Sequence, residues 1–479
     1  MHDNLRRIIT GLVCLLYLTL LGYTLAHHEV WGDEFHSWNI VKASPSPGLL
    51  FHNIRYEGHP PLWYLILWPL TRITHRLVYM QVIQFLVAGA SVVLILYRSP
   101  LPRWLRLLAP FGYFLFYEYA VFSRNYAIGV LLALCICMVL EARRFRPVLY
   151  YLLLLLLSNT HLLGLLLAGS FHVYFLTQRR RLLPHVFGFL VLLPAVHFIL
   201  PPGDSQMNTG FWLDHWNIHQ LSVLVQAPLK ALAPMPAWWE YHWWNTQFLL
   251  EARAPGFVIA AATLAVLLLC LLALRGSKGG WVLWGVNLGV TLAAGLVFPL
   301  TSARYTGFLY IGWLAAYWVG NGPAGPGPRT KAWPLIVLLL LQLPGGLFAV
   351  WKDWTRPFSR ANTAPGLVGE VPPGATLVCD YWALNPLVAY TDKSYYCLDL
   401  GEERSFLRWD GDFAARLRKA DRYIAGAQRL VCPHGLYLIS TASPSELAQA
   451  AGKDFVFHLE DFRDGAIEKG SNLYLYRVE

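Results

Sequence analysis

The chain has 479 residues, of which 56% are hydrophobic and only 14% are charged, and its formal net charge is +10. Soluble domains carry about 25% charged residues, so this composition and a mean hydropathy of +0.42 exclude an ordinary soluble enzyme, a disordered chain and a nucleic-acid-binding module. Residues 1–351 hold 23 Lys and Arg against 11 Asp and Glu, whereas residues 352–479 hold 15 against 17. The excess positive charge therefore lies in the apolar part, as in a polytopic membrane protein whose basic loops stay in the cytosol. We expect a transmembrane domain over 1–351 and a soluble domain over 352–479.

The first apolar run, from Ile8 to Ala26, follows Arg6 and Arg7 and is long enough to cross a bilayer core of about 30 Å. It has no convincing cleavage site, so the sequence predicts an uncleaved first span. Further runs of suitable length lie at 78–97, 104–121, 125–142, 183–200, 256–275, 281–300, 304–320 and 332–351. The run 147–177 has arginines at both ends, which favours two short spans joined at Asn159–His161 over one long span. The fold class predicted is an all-α bundle of about 11 transmembrane helices, with a range of about 9 to 13.

Basic clusters set the orientation of this bundle. They are Arg98–Arg106, Arg143–Arg146, Arg179–Arg181 and Arg275–Lys278. If these lie in the cytosol, the long segments 27–77 and 201–255 and the C-terminal domain lie outside. The segment 61–74, which contains two prolines and an arginine, must then not span, and we expect it to lie in the plane of the membrane or to re-enter it.

The C-terminal domain is predicted to be a small α/β domain, because strand-length apolar runs alternate with helical stretches. The runs lie at 375–381, 394–400, 422–427, 436–441, 454–459 and 472–478. The helical stretches are Asp412–Lys419 and Pro444–Ala451. If this domain is extracytoplasmic, one cysteine pair could be oxidised, and Cys379 with Cys397 is the favoured pair. The domain carries no glycine-rich phosphate loop and no catalytic triad.

Two adjacent carboxylates stand out in the first outer loop. Asp33 and Glu34 lie in WGDEFHSWN, directly after the first span. Acidic residues are costly near a membrane, and apolar surroundings raise a carboxyl pKa, which suits a general base. A solvated loop is the alternative interpretation.

Cationic residues with aromatic neighbours occur on the same predicted face. Arg124 precedes Tyr126, and Arg304 precedes Tyr305. Guanidinium groups bind phosphate bidentately, although arginines that snorkel to lipid headgroups are an alternative. Two histidines also occupy outer turns there: His59, which is followed by Pro60 and Pro61, and His161. A base, phosphate-binding cations and aromatic walls on one outer face suit a reaction on a sugar carried by polyprenyl phosphate.

These motifs resemble those of integral-membrane C-type glycosyltransferases of the protein O-mannosyltransferase-like group, which includes lipid A aminoarabinose transferase-like enzymes. The resemblance covers roughly residues 5–350. It rests on the Asp33–Glu34 pair, the His-Pro-Pro-Leu motif His59–Leu62, the Arg-x-Tyr-Ala turn Arg124–Ala127, the turn Thr160–Gly164 and the pair Arg304–Tyr305.

The resemblance implies that a sugar moves from a polyprenyl-phosphate donor to an acceptor hydroxyl, with inversion. Asp33 would then deprotonate or orient the acceptor, and Glu34 would bind the acceptor or assist. The leaving phosphate would be held by His59, Arg124 and Arg304. Gly58 stands where some relatives carry a basic residue, so Arg55 is a further candidate for the phosphate.

The remaining expectations concern ligands and location. An Asp33–Glu34 pair could ligate a divalent metal, although no dedicated metal cage is visible. His161 is a weaker candidate for substrate contact. The expected partners are the bilayer, the lipid-linked donor and a lipid, glycan or protein acceptor, with no nucleic acid, in a bacterial inner membrane. A transporter of a lipid-linked saccharide and a non-catalytic scaffold are the alternatives, and the lack of visible internal repeats disfavours the transporter.

Overall fold

The computed structural model describes residues 2–178, 182–203, 205, 218–322, 332–409, 418–452 and 455–479. A long helical part comes first and a part built on one β-sheet follows it. The helices of the first part are α1 (His2–His27), α2 (Gly32–Lys42), α3 (Pro47–Ile54), α4 (Leu62–Thr71), α5 (Val78–Arg98), α6 (Arg103–Leu108), α7 (Asn125–Glu141), α8 (Pro147–Ser158), α9 (Leu162–Gln178), α10 (Leu182–Leu190), α11 (Leu193–Ile199), α12 (Ile218–Leu232), α13 (Phe248–Glu251), α14 (Gly256–Ala273), α15 (Lys278–Ala294), α16 (Ala303–Asn321), α17 (Trp333–Leu340) and α18 (Leu343–Thr355).

Four helical segments of the described chain are long and apolar enough to cross a membrane. They are Asp3–His27, Val78–Arg98, Gly256–Ala273 and Trp333–Thr355. The other apolar helices are shorter, so the total of about 11 spans stays a prediction.

The run 104–121 does not form the single helix that the sequence predicts. It divides into α6, a 3₁₀ turn at Ala109–Phe111 and a π-helical turn at Phe114–Glu118. Pro110 has no backbone N–H to continue an α-helix, and the N–H of Tyr113 donates instead to the carbonyl of Gln342. The prediction of one continuous span at this place is therefore wrong.

The run 147–177 does divide where the sequence predicts. Helices α8 and α9 are separated by Asn159–His161, and the carbonyl of Asn159 accepts a hydrogen bond of 3.1 Å from the N–H of Leu62. This bond attaches the start of α4 to the α8–α9 turn. Helix α4 has only 10 residues, which is too short to cross a bilayer.

The C-terminal part is an α/β unit around a six-stranded sheet in the order β3-β2-β1-β4-β6-β5. Its elements are α19 (Ala364–Glu370), β1 (Thr376–Cys379), α20 (Tyr381–Thr391), β2 (Tyr395–Cys397), β3 (Glu402–Arg404), α21 (Ala420–Ala427), β4 (Leu436–Ser440), α22 (Pro444–Ala451), β5 (Phe457–Arg463) and β6 (Leu473–Val478). Strand β1 pairs in parallel with β2 and β4, and the other pairings are antiparallel. The α/β prediction agrees with this unit.

Three details of the C-terminal prediction need comment. Residues 422–427 belong to helix α21 and not to a strand, because Tyr423 and Gly426 are buried on one helical face. The helix predicted at Asp412–Lys419 lies largely outside the described residues. Cys379 and Cys397 are register partners on β1 and β2, yet both are free thiols, so the favoured disulfide is not formed.

The two parts pack through α2 and α20. The Asn39 side chain donates to the carbonyl of Asn385 at 2.9 Å, and Lys42 forms an ion pair of 2.8 Å with Asp392. Helix α2 therefore lies between the other helices of the first part and the C-terminal sheet. Any group on α2 is positioned by both parts.

Close packing at α18 supplies a test of this architecture. A Cβ atom on Gly346 would lie 2.5 Å from the carbonyl oxygen of Phe111, whereas a Cβ on Gly289 of α15 would meet nothing within 4 Å. Overpacking against rigid backbone costs about 1–3 kcal/mol. We expect Gly346→Ala to lower the thermal unfolding midpoint in detergent and Gly289→Ala not to lower it. Equal midpoints for the two variants would contradict this packing.

Candidate functional site

The first turn of α2 directs its two carboxylates to different places. Consecutive residues of a helix point about 100° apart, so the adjacent Asp33 and Glu34 do not face the same way. Glu34 is fully buried, whereas the side chain of Asp33 is 41% exposed. Only Asp33 is therefore available to a ligand.

Asp33 forms an ion pair with Arg304, the second residue of α16. The guanidinium of Arg304 also lies 5.0 Å from the ring of Trp31 and 5.4 Å from the ring of Trp244. Tyr305 offers a third ring at 5.5 Å. Such cation–π contacts contribute about 0.5–2 kcal/mol each, and together they fix the position of a charge that α16 presents to Asp33.

A second guanidinium approaches Asp33 from the N-terminus of α7. One nitrogen of Arg124, Nη1, donates 2.5 Å hydrogen bonds to the backbone carbonyl of Asp33 and to the hydroxyl of Ser37. Its other terminal nitrogen, Nη2, lies 3.2 Å from Nε2 of His59. The structure thus brings together four of the residues singled out in the sequence: Asp33, His59, Arg124 and Arg304.

The pKa of Asp33 differs from the expectation. Burial alone would raise the pKa of Asp33, but the nearby Arg304, followed by Arg124, lowers that pKa to about 2. The prediction that apolar surroundings raise it is wrong for Asp33, because the sequence did not reveal that two guanidiniums converge there.

His59 is neutral in this arrangement. Burial and the adjacent Arg124 lower the pKa of His59 to about 3. Because Arg124 donates its proton, Nε2 of His59 accepts and Nδ1 carries the hydrogen. That Nδ1 is buried and has no hydrogen-bond partner among the described residues. His59 can therefore offer a ligand one N–H donor but no positive charge.

Glu34 is held entirely by protein groups. It accepts hydrogen bonds from the backbone N–H of Ser123 at 2.5 Å and of Trp31 at 3.2 Å. His28 approaches it at 3.3 Å and also contacts Asp353 of α18 at 2.8 Å. This geometry gives Glu34 a positioning role and does not support the expectation that it contacts the acceptor.

The carboxylate pair also does not form a metal cage. Glu34 is saturated by donors, and Asp33 binds a guanidinium. Among the described residues, no group of three or more His, Cys, Asp or Glu side chains is arranged to hold a metal ion. The residues present therefore do not fit a divalent metal at Asp33 and Glu34.

The other residues predicted for the site lie at different distances from it. The ring of Tyr126 is 4.6 Å from the ring of His161, in the wall behind Arg124. His161 accepts a hydrogen bond from the N–H of Gly164. Arg55 donates to the backbone carbonyl of His197, so its part in phosphate binding stays a prediction.

Several residues of the site were missed in the sequence. Ser37 follows Asp33 by four positions, so helical spacing alone could have placed it beside Asp33. His28 precedes the motif without a recognisable pattern, and Asp353 lies 325 residues from His28 along the chain. Trp244 is one of several tryptophans in the segment 201–255, and nothing in the sequence separates it from the others. Only the folded chain shows that these residues meet.

The His28 contacts predict a pH dependence of stability. Burial would lower the pKa of His28, but Asp353 and Glu34 raise it to about 10, compared with about 6.5 in an unfolded chain. The folded state binds the proton more tightly, so this stabilisation is complete below about pH 6.5 and is lost as pH rises through about 10. We expect the unfolding midpoint to fall as pH rises through this range. The fall should be smaller in His28→Gln than in His434→Gln, a control at an exposed histidine. Parallel pH curves for the two variants would contradict the assignment.

Comparisons with known proteins add a structural likeness. No protein-family model and no curated protein sequence matches the chain. Among solved structures, ArnT from Cupriavidus metallidurans bound to undecaprenyl phosphate is similar, with a TM-score of 0.52 at 12% identity over 98% of this chain and 97% of that chain. The apo structure of the same ArnT gives a TM-score of 0.41 at 14% identity.

The comparison with the undecaprenyl phosphate-bound ArnT structure extends across the helical part and the C-terminal sheet, because it covers 98% of the chain. At 12% sequence identity the structural likeness shows the fold alone. The chemistry must be argued from the residues of the site. The chain therefore has the fold of ArnT, which confirms, for the fold, the family resemblance that the sequence motifs predict.

Proposed function

We propose that the protein is an integral-membrane glycosyltransferase that moves a sugar from a polyprenyl-phosphate donor to an acceptor hydroxyl at the outer face of a bacterial inner membrane. The observation that carries the proposal is the partly exposed carboxylate of Asp33, flanked by the guanidiniums of Arg304 and Arg124. It is supported by the fold, since ArnT with this fold has been solved with undecaprenyl phosphate.

The donor phosphate would bind at the two guanidiniums. Arg304 is held by aromatic rings and Arg124 by α2, so their charges are already positioned before a ligand arrives. Preorganised charges need no rearrangement to stabilise an anion. The unpartnered Nδ1–H of His59 would supply a neutral donor beside them.

Donor binding would also activate Asp33. Without a ligand, Arg304 is the main reason that the pKa of Asp33 is low. A phosphate bound to the guanidinium of Arg304 in its existing position would weaken this ion pair and would add a negative charge nearby. Both effects would raise the pKa of Asp33 and make it a better base. The base would then become effective only when a donor is present, which protects an idle site from side reactions.

The transfer itself is a single displacement. The acceptor oxygen forms a bond to the anomeric carbon as the bond from that carbon to the phosphate oxygen breaks. Asp33 takes the acceptor proton, and the electron pair leaves on polyprenyl phosphate, whose charge Arg304 and Arg124 stabilise. One displacement inverts the anomeric configuration. A lipid, a glycan or a protein can supply the hydroxyl, and the C-terminal unit would lie outside with the site.

The base assignment is tested by Asp33→Asn. Loss of a general base typically costs about 10²–10⁴-fold in rate, so we expect transfer to fall by that factor while the protein stays folded and inserted. Product formation and release of polyprenyl phosphate are measured together. Glu240→Gln, an exposed carboxylate of the outer segment 201–255, is the matched control. Near-normal transfer by Asp33→Asn would remove Asp33 as the base, and movement of unchanged donor would indicate a transporter.

The phosphate assignment is tested by binding of undecaprenyl phosphate. We expect Arg304→Lys to weaken it about tenfold, because an ammonium cannot bind phosphate bidentately. Asp33→Asn should strengthen the same binding, because the carboxylate that competes for Arg304 is removed. The exposed Arg253→Lys should change nothing. Tighter binding of undecaprenyl phosphate by Arg304→Lys, or weaker binding by Asp33→Asn, would contradict the proposal that the phosphate and Asp33 compete for Arg304.

A further inference from the structure

The loop that joins β5 to β6 of the C-terminal sheet, residues 464–472, is built into the helical part. Ile467 in its middle is fully buried and belongs to the same hydrophobic cluster as Trp31 and Phe358. Loops of surface domains normally stay exposed. The middle of the loop, Ala466 and Ile467, is therefore anchored in the packed interior, while its ends remain partly exposed.

Hydrogen bonds from the outer segment 201–255 fix this loop. The hydroxyl of Tyr241 donates to the carbonyl of Gly465 at 2.6 Å, and Nδ1 of His242 lies 2.9 Å from the carbonyl of Ile467. On the other side, Nε of Arg360 donates to the carbonyl of Asp464 at 2.5 Å. Bonds on both sides give the loop one defined position.

This position brings Glu468 to the aromatic platform of the site, which consists of the rings of Trp31, Trp244 and Phe358. Its backbone N–H donates to the carbonyl of Phe358 at 3.0 Å. The ring of Phe358 lies 5.3 Å from that of Trp244 and 6.1 Å from that of Trp31, the two indoles that hold Arg304. The carboxylate of Glu468 interacts electrostatically with both Asp33 and Arg304.

Glu468 also retains an open acceptor atom. Its Oε2 receives hydrogen bonds from the N–H of Gly470 at 2.9 Å and from the hydroxyl of Ser471 at 2.5 Å. These two bonds orient the carboxylate and leave Oε1 without a recorded partner in the described part of the chain. Burial, opposed by those two hydrogen bonds, raises the pKa of Glu468, so its carboxyl is more basic than that of Asp33.

The charge of Glu468 decides which substrate it serves. A second carboxylate repels the donor phosphate, which the guanidiniums of α7 and α16 attract. The donor must also keep its polyprenyl chain in the bilayer, whereas Glu468 belongs to the extramembrane sheet. A neutral, hydroxyl-bearing molecule that arrives from that sheet can donate a hydrogen bond to the carboxylate without this repulsion.

We propose that the loop 464–472 forms the acceptor side of the reaction site and that Glu468 binds the acceptor through a hydroxyl group. This assignment rests on the proposed function and adds to it the residue that selects a hydroxylated acceptor. Asp33 would remain the base, and the C-terminal sheet would contribute directly to substrate recognition.

The test is Glu468→Gln in the full-length protein, with Glu460→Gln, an exposed carboxylate of the same β5–β6 hairpin, as the matched control. Lipid-linked sugar extracted from membranes serves as donor, and an envelope fraction from a strain lacking the protein is titrated as acceptor. Hydrogen bonds to a charged group contribute about 1.5–3 kcal/mol. We therefore expect the half-saturating amount of acceptor to rise about tenfold or more. Binding of undecaprenyl phosphate should not weaken, because the variant removes a negative charge that repels the phosphate, and Glu468→Asp should recover part of the loss.

The other outcomes overturn the assignment in distinguishable ways. An unchanged acceptor requirement in Glu468→Gln would remove Glu468 from acceptor binding. If Glu468→Gln also weakened the binding of undecaprenyl phosphate or lowered the unfolding midpoint, the loop would be a structural support only. If it raised the half-saturating amount of donor, Glu468 would be assigned to the donor sugar. Absence of transfer by the wild-type protein would overturn the proposed function and this assignment together.

Discussion

The structure depends on one electrostatic constraint: the carboxylate at the start of α2 is placed between guanidiniums carried by α7 and α16. Charges that leave water must be paired. Arg304 of α16 pairs with the carboxylate of Asp33, and Arg124, directly before α7, donates to the backbone carbonyl of the same residue, so these contacts join three helices. The rings of Trp31 and Trp244 complete the surroundings of Arg304. The proposed function uses this pairing, since a donor phosphate would compete with the carboxylate of Asp33 for the same guanidinium.

The direction in which its side chain points separates Glu34 from Asp33. Glu34 differs from Asp33 by one position and one methylene, yet it points inward and joins α2 to the backbone of Ser123 and to His28. His28 in turn contacts Asp353 of α18. This buried ionic chain holds the Arg124 turn and the end of the helical part in register. Glu34 therefore acts on the site by positioning the residues that face it.

The site also lies where the two parts of the chain meet. Helix α2 contacts α20 through Asn39 and Asn385, and the β5–β6 loop reaches the aromatic platform from the other side. A rearrangement of the C-terminal sheet would be transmitted to α2 through these bonds. The similarity to ArnT likewise covers both parts, and not the helices alone. The C-terminal unit is thus part of the site's construction, although its sequence carries no motif of its own.

The sequence by itself determined the apolar runs, the break between α8 and α9 and the α/β character of the C-terminal unit. It also singled out four residues that the structure brings together. These follow from hydropathy, turn residues and short motifs, which act locally. Only the tertiary structure decided which carboxylate is exposed and which is buried, since a helix turns by about 100° per residue and either face could have been turned inward. It alone paired Asp33 with Arg304, 271 residues away, and thereby lowered the pKa that the sequence led us to expect raised. It also bonded Arg55 to the backbone of His197 and brought Glu468 near Asp33, because contacts between distant segments depend on packing that no local pattern encodes.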